Sequence, residues 1–395
     1  MTARRQAEPM SATEPIYLDH NATTPLDPAV LRVMLPYFTE TFGNPASIEH
    51  SHGNAAAQAV EHARGQIATL IGARPAEIVF TGSCTESNNL AILGFAEANP
   101  EKRHLVTSMI EHPAVLEPAR QLEQRGWKVT YLPVSADGLV DLDAVSAAID
   151  EDTGLVSIMA ANNEVGTIQP LRAIGTLCAE RGVTFHSDLA QALTSSDVDV
   201  ERDNIHMASL SAHKLYGPKG IGALYVRSRR PRVRLAPLHF GGGQERGLRP
   251  GTLNVPLIAG FGEAAAIARR SVSTERTRLS SLCDAFLDRL RGALTGVQLN
   301  GDPEQRLPML SLSIEGVEPL ALLRRLRDDV SISASSACST DRIETSHVLL
   351  ALFGDTKRAR QAFRVTPGRF TTTAMMDMAC DAMIAAAASL QSMRG

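Results

Sequence analysis

Between residues 77 and 227 short apolar runs alternate with amphipathic stretches, and that rhythm leaves the chain few folds to choose from. Strands are expected at 77–80, 104–108, 127–133, 154–161, 183–188, 205–211 and 221–227. Helices are expected between them at 86–98, 112–125, 141–149 and 171–181, with Gly126 and Gly182 as stop signals. Strand and helix in strict turn is the signature of an α/β domain whose mostly parallel sheet is covered on both faces. Upstream, Asp27-Pro28 pairs a capping acid with a proline at the first helical position, so a helix should start there and run to about Phe42. A second helix, carrying Val60, Ala63, Ile67 and Ile71 on one face, should stop at Gly72. After Thr252 the pattern changes to a long helical run over 255–294, expected to break or bend, and then to a smaller α+β unit with strands near 310–314, 330–333 and 362–366. The expected organisation is a leader over 1–15, a large domain over 16–265 and a small C-terminal domain over 266–395.

The ends of those strands carry the chemistry. Lys214 follows the buried run 205–210 inside Ser211-Ala212-His213-Lys214-Leu215-Tyr216-Gly217-Pro218-Lys219-Gly220. Alone it reads as a solvated loop lysine. In a desolvated pocket beside other cations it would instead have the free lone pair needed to condense with an aldehyde cofactor. Asp188 ends the strand before it, where a carboxylate at the rim of a parallel sheet meets a cationic ring nitrogen. Strand 77–80 runs into Thr81-Gly82-Ser83-Cys84-Thr85 and a helix start, whose free N–H groups and positive dipole end favour a phosphate. Phosphate turn, strand-end acid and strand-end lysine together describe a site for pyridoxal 5'-phosphate.

Several long stretches make the chain resemble the pyridoxal-phosphate-dependent cysteine desulfurases of the bacterial iron–sulfur-assembly type, within the class V aminotransferases. They include 17–25 (Tyr-Leu-Asp-His-Asn-Ala-Thr-Thr-Pro), 42–47, 161–166, 213–220, 241–252 (Gly-Gly-Gly-Gln-Glu-Arg-Gly-Leu-Arg-Pro-Gly-Thr), 335–339 and 368–372. The resemblance implies the type I fold of pyridoxal phosphate-dependent transferases, with the first ~25 residues packed on the small domain. It implies that His112 stacks on the cofactor ring and assists proton transfer, although by itself His112 reads as a helix cap. It further implies that Gln191 and Asn163 bond the cofactor's phenolic oxygen or the substrate, and that Thr85, Ser211 and His213 hold the phosphate. Cys84 would pack under the cofactor. Thr252 would reach a phosphate in a neighbouring subunit, which makes a homodimer part of the expectation. Arg364 would clamp the carboxylate of L-cysteine, a bidentate task suited to arginine.

Cys338 sits in a run of small residues with little to anchor it in a core, so it should be exposed. An inert loop cysteine is the plain alternative, whereas the resemblance makes Cys338 the persulfide-carrying nucleophile. Cys178, Cys283 and Cys380 fall in helical patterns and should be buried. Five cysteines with no C-x-x-C pair support neither a disulfide framework nor a zinc ribbon, and fit a reducing cytoplasm. His50, His52 and His62 have no further candidate ligands nearby, so no metal is expected. A net charge of -4 gives no electrostatic case for direct nucleic-acid binding. The basic run 227–234 reads as a solvated connector, with a docking patch for an acidic partner as the alternative. No apolar run comes near the ~20 residues a membrane helix needs.

Three features depart from the family pattern. The phosphate turn has Gly-Ser-Cys where Ser-Gly-Ala is usual, and the segment before Cys338 lacks a glycine common there. The chain also ends at Gly395 without the longer tail by which some members bind an iron–sulfur scaffold. The sulfur-acceptor protein is therefore open among iron–sulfur assembly, tRNA thiolation and DNA phosphorothioation. Selenocysteine lyase and aminotransferase are the enzyme-level alternatives, and Cys338 discriminates, since an aminotransferase has no use for it.

Overall fold

Seven strands form the central sheet of the computed structural model, in the order Ile78–Thr81, Gly222–Val226, Met207–Ser211, Thr184–Asp188, Thr153–Ser157, His104–Ser108, Lys128–Leu132. The structure describes residues 14–194, 196–334, 337–339 and 342–393, with 337–339 and 342–344 described by backbone alone. Gly222–Val226 is antiparallel to both neighbours and every other pairing is parallel. Side chains alternate between two cores, which is why each strand reads as a continuous apolar run. Ile78, Phe80, Phe185 and Tyr225 face one core with Val60, Ile67 and Ile174 from the helices. Val79, Leu105, Leu155 and Leu224 face the other, with Leu90, Phe95 and Val115.

This topology collects function at one edge. Six strands run the same way, so Thr81, Ser108, Leu132, Ser157, Asp188 and Ser211 all end at the carboxyl edge, where α/β sheets bind ligands. The reversed strand brings its first residue there too, with Gly222 paired to Thr81 on one side and Ser211 on the other. A Cβ on Gly222 would stand 2.5 Å from the Ser83 carbonyl carbon. Glycine therefore lets the phosphate turn lie directly against the strand before Lys214. The basic run 227–234 leaves the opposite edge, anchored by Ser228 N and Oγ, each 3.0 Å from Glu77 Oε1.

The chain divides into two compact units, 21–277 with 301–307, and the segments up to His20, 278–300 and from Pro308 on. The division falls between Thr277 and Arg278, inside one unbroken helix, Val255–Ala293. No break is needed because the helix serves two cores in turn: Ile258, Phe261, Ala264 and Ala268 in the larger unit, then Leu279, Cys283, Phe286 and Leu290 in the smaller. The expected helix from Asp27 to Phe42 is two pieces, Pro28–Met34 and Pro36–Thr39, since Pro36 cannot donate to a continuing ladder.

In the smaller unit a four-stranded sheet runs Ser333–Ala334, Ala362–Val365, Leu310–Ile314, Val297–Leu299. Ile16–Tyr17 pairs in parallel with Val330–Ser331, so this entry segment belongs to the smaller unit. The expected leader lies outside the described residues except for its last two positions. The final helix, Thr373–Ser392, is long and apolar enough by composition to match a membrane span, which corrects the expectation of no such run. Met376, Ala379, Cys380 and Met383 on it are buried in the unit's core, and Asp377 and Asp381 pair with Arg289. Ala337–Ser339 is antiparallel to Arg342–Glu344, with Cys338 opposite Ile343. Ser335, Ser336, Thr340 and Asp341 lie outside the described residues, so the expected exposure of that segment has no counterpart here.

Candidate active site

The helix expected at 86–98 begins earlier, at Cys84, because Ser83 caps it by accepting from Glu86 N at 3.1 Å. That shift puts Cys84 and Thr85 in the first turn. No described hydrogen bond uses their amides, which leaves two donors for an anion beside the Thr85 hydroxyl. Glu86 braces the turn through Gly82 N at 2.6 Å and Arg249 Nε at 3.0 Å. Its neighbour across Gly222, Ser211, begins the 3-10 turn Ala212–Lys214.

Asp188 is 6% exposed and its carboxylate is held by three donors. Asn88 Nδ2 donates to Oδ2 at 2.7 Å, Ala190 N to Oδ1 at 2.9 Å, and the Cys84 thiol to Oδ1 at 3.5 Å. Burial, and then the Asp188 charge, push the Cys84 thiol well above its ordinary range, so it stays protonated and is no nucleophile. Beneath Asp188, His186 bridges Ser157 Oγ (2.8 Å) and Ser209 Oγ (3.0 Å) across three strands. Burial holds His186 down at about 4, so this layer is neutral.

Lys214 points back to the chain's first turns. Its Nζ donates to the Asn21 and Ala22 carbonyls, and Gln191 Nε2 donates to the same Asn21 oxygen at 3.0 Å. Asn21 Nδ2 in turn reaches the Asn163 carbonyl at 3.2 Å. Asn21 thus joins Lys214, Gln191 and Asn163. Asn163 is presented by a turn that Asn162 builds, its Oδ1 accepting from Glu164 N and Val165 N while Nδ2 ties the turn to the Ile110 carbonyl at 2.9 Å. His213 Nδ1 lies 3.1 Å from Thr23 Oγ1. Burial, then Lys214 and Lys219, push the His213 imidazole down to about 4, so it is neutral at pH 7. Tyr216, just beyond, has a left-handed φ of 62°, costly for an aromatic residue. Thr24 Oγ1 accepts its N–H at 3.0 Å and Asp27 N donates to its carbonyl at 2.9 Å, which fixes the turn after Lys214.

His112 is the N-cap of Pro113–Gln124, with Nδ1 accepting from Ala114 N at 3.0 Å. The helix-cap reading and the ring-facing reading are compatible, because the cap fixes Nδ1 as acceptor and leaves the proton of a neutral ring on Nε2. Glu111 beside it is fully buried, and Oε1 accepts from Ser108 Oγ at 2.7 Å and Met159 N at 3.0 Å. Burial raises this carboxyl to about 8, so it is largely protonated at neutral pH. His50 caps the helix Ser51–Leu70 through Gly53 N at 3.1 Å, a structural task for one of the histidines considered as a metal ligand.

The larger unit therefore gathers Cys84, Thr85, His112, Asn163, Asp188, Gln191, Ser211, His213 and Lys214 at one sheet edge. Thr252 belongs to the same unit but is exposed, and none of the described hydrogen bonds joins it to the cluster. Its segment is anchored by Glu245, which takes Arg64 through two bonds (2.9 and 2.7 Å) and Phe80 N at 2.7 Å, while Glu245 and Arg246 hold left-handed φ values of 46° and 58°. Arg364 and Cys338 lie in the smaller unit. Sequence reasoning passed over Asn21, Asn88, Glu111 and Glu245 as site residues. Asn21 and Glu245 stood inside stretches that carried the resemblance, and Glu111 stood next to His112. Only a buried acid partner marks Asn88, which no local pattern reveals.

An aminotransferase class-V model matches residues 16–366. The chain belongs to this family. It is 51% identical over 367 residues to a protein named cysteine desulfurase IscS from Rickettsia bellii, covering 92% of this chain and 89% of that one. A solved NifS-like protein superposes with a TM-score of 0.87 at 36% identity, covering 94% of this chain and 98% of the other. A structure described as SspA in complex with cysteine gives 0.79 at 39% identity, over 90% and 100%. Family and neighbours together make the fold that of the type I pyridoxal phosphate enzymes, with its mostly parallel central sheet.

Proposed function

We propose that this chain uses pyridoxal 5'-phosphate to desulfurate L-cysteine, giving L-alanine and a persulfide on Cys338. The desulfurase activity rests on 51% identity across nearly the whole chain to a protein of that name. The observation that carries the cofactor assignment is the Asp188 carboxylate, which accepts from Asn88 and Ala190 at the same sheet edge as Lys214 and a helix N-terminus with two amides open to an anion. These residues fit the group: a carboxylate for the ring nitrogen, an amine for the aldehyde, and an anion cradle for the phosphate. When bound, the cofactor supplies an electron sink for the bond electrons released at the substrate's Cα.

The chain's own residues do the rest. Thr85, Ser211 and His213 would hold the phosphate, and the Asp188 carboxylate would meet the ring nitrogen. Lys214 would supply the amine for the cofactor's aldehyde and would move the substrate's Cα proton. His112, with its proton on Nε2, would assist proton transfer, while Gln191 and Asn163 would orient the phenolic oxygen and the substrate. Arg364 clamps the substrate carboxylate. The Cys338 thiolate forms an S–S bond to the substrate sulfur as the Cβ–S bond breaks, and Cβ is protonated to the methyl of alanine. The balance is L-cysteine plus one Cys338 thiol to L-alanine plus one Cys338 persulfide.

The enzyme works as a homodimer in this reading. Leu35, Phe38, Phe42 and Ile48 form an exposed apolar succession, and Phe240, 87% exposed, precedes the Thr252 segment. A second copy covering these residues would receive Thr252 at its phosphate. Among destinations for the sulfur, identity with IscS-named relatives favours an acceptor of iron–sulfur assembly, in the cytoplasm. The test is Lys214→Ala: borohydride reduction should fix pyridoxal phosphate on the Lys214 peptide of the wild type only, and alanine formation from L-cysteine should fall at least about a thousandfold. A variant that keeps turnover would remove Lys214 from the mechanism.

A further inference from the structure

Where the pairing of His104–Ser108 with Thr153–Ser157 gives out, a buried carboxyl takes over. That ladder ends at Thr107 opposite Ser157. Beyond it the chain runs on through Ile158, Met159 and Ala160, and alternate amides still bond the strand Thr184–Asp188. Ile158 N donates to the His186 carbonyl at 3.1 Å and Ala160 N to the Asp188 carbonyl at 2.9 Å. Met159 N, between them, serves the opposite side, as extended backbone requires, and donates to Glu111 Oε1 at 3.0 Å. The same oxygen accepts from Ser108 Oγ at 2.7 Å. Glu111 thus supplies the acceptor that a longer neighbouring strand would have offered. The rest of its turn is fixed as well. Met109 N donates to the Leu132 carbonyl at 2.9 Å, the Ile110 carbonyl accepts from Asn162 Nδ2 at 2.9 Å, and His112 caps the next helix through Ala114 N at 3.0 Å. Every residue from 109 to 112 is anchored, and the Glu111 anchor is the one that reaches the backbone running beside Asp188.

We infer that Glu111 is a positioning residue, which fixes the place of His112 relative to Asp188 by tying the turn that carries His112 to the backbone bonded to Asp188. The inference rests on the proposed function, in which His112 assists proton transfer and Asp188 meets the cofactor ring. A group that moves protons and a group that holds the ring must keep their spacing, because a misplacement of about 1 Å can cost about a hundredfold in rate. The cap at Nδ1 sets how the imidazole is turned, and Glu111 sets where its backbone stands. A neutral carboxyl suits the task. Oε1 takes both donors on its lone pairs, which leaves the acid proton to Oε2. Burial, with the Asp188 charge adding to it, keeps the group largely neutral at pH 7, so the anchor sets no second full charge beside Asp188. Glutamine offers the same acceptor at the same reach. Leucine offers none, and aspartate falls a methylene short.

The experiment uses the full-length, cofactor-loaded enzyme and follows alanine formation from L-cysteine in a double-mutant cycle with His112→Ala. Glu111→Leu should lower kcat about thirty- to a hundredfold, with KM for L-cysteine within about threefold of wild type and the visible cofactor band kept. In the His112→Ala background the same substitution should change kcat by less than about threefold, since the group it positions is gone. Glu111→Gln should recover at least about tenfold of the loss, because its amide oxygen accepts from the same two donors. Glu111→Asp keeps the proposal testable if Glu111→Leu folds poorly: kcat should fall at least about tenfold with His112 present and less than about threefold in the His112→Ala background. A loss as large without His112 as with it overturns the inference, because Glu111 then serves the fold alone. Wild-type kcat in Glu111→Leu overturns it too. His112→Ala separates the two levels. If that variant keeps the wild-type kcat, His112 has no part in the reaction and the role of Glu111 falls with it; if it lowers kcat while Glu111→Leu does not, Glu111 alone loses its role. A wild type that forms no alanine overturns the proposed function itself.

Discussion

Asn88→Leu should lower both cofactor affinity and fold stability. Asn88 is fully buried, its Nδ2 donates to Asp188 at 2.7 Å, and its Oδ1 has no hydrogen-bond partner among the described residues. A hydrogen bond to an ionised group contributes about 1.5–3 kcal/mol, and the loss falls on the ionised form of Asp188, the form that pairs with a protonated ring nitrogen. At 1.4 kcal/mol per factor of ten, the cofactor dissociation constant should rise by up to about ten- to a hundredfold. Leucine has nearly the shape of asparagine and removes the unmatched oxygen, but it leaves Asp188 a donor short in the cofactor-free protein too, so cofactor-free stability should fall by about 1–3 kcal/mol. The assay is titration of stripped protein with pyridoxal phosphate, read by visible absorbance, beside urea unfolding of the cofactor-free form. A dissociation constant within twofold of wild type would refute the reasoning. So would a cofactor-free stability unchanged from the wild type, which would mean that the bond from Asn88 to Asp188 contributes nothing to the fold.

Glu111 gives a pH signature. Its carboxyl sits at about 8 in the folded protein against an ordinary value near 4.5, so its contribution to stability is complete below 4.5 and is lost as pH rises through about 8. Glu111→Gln should flatten the fall in urea midpoint between about pH 5.5 and 8.5, and an unchanged slope would show that another group titrates. Glu245→Ala should destabilise the larger unit by about 3–5 kcal/mol in urea unfolding, because it strands Arg64, whose side chain is 7% exposed, without its bidentate partner. A loss below about 1 kcal/mol would mean that the pair does not anchor the 241–252 segment.

The sequence was most legible where one residue sets a local structure. Strand ends were readable because apolar runs stop at polar residues, and so Asp188, Ser211 and Lys214 fell at one edge as the alternation implied. Asp27-Pro28 started a helix and Gly182 ended one, with a φ of 67°. The unreadable parts depend on partners far along the chain. Nothing near Asn21 announces Lys214, 193 positions away, and nothing near Asn88 announces Asp188, 100 away. The 255–294 helix runs without the break because a single helix can present one face to one core and a later face to another. A triangle of side chains brings Asp19 to Ser333 and Arg364, 314 and 345 positions away, and each alone reads as an ordinary polar residue.

The central claim is that sulfur passes from L-cysteine to Cys338. A single turnover with one equivalent of L-cysteine, followed by mass spectrometry of the Cys338 peptide and assay of alanine, tests it most directly. The wild type should form alanine and a Cys338 peptide heavier by one sulfur in equal amounts, while Cys338→Ala keeps the visible cofactor band and forms neither. Alanine released by Cys338→Ala at the wild-type rate would contradict the account and make the chain a lyase that needs no thiol acceptor.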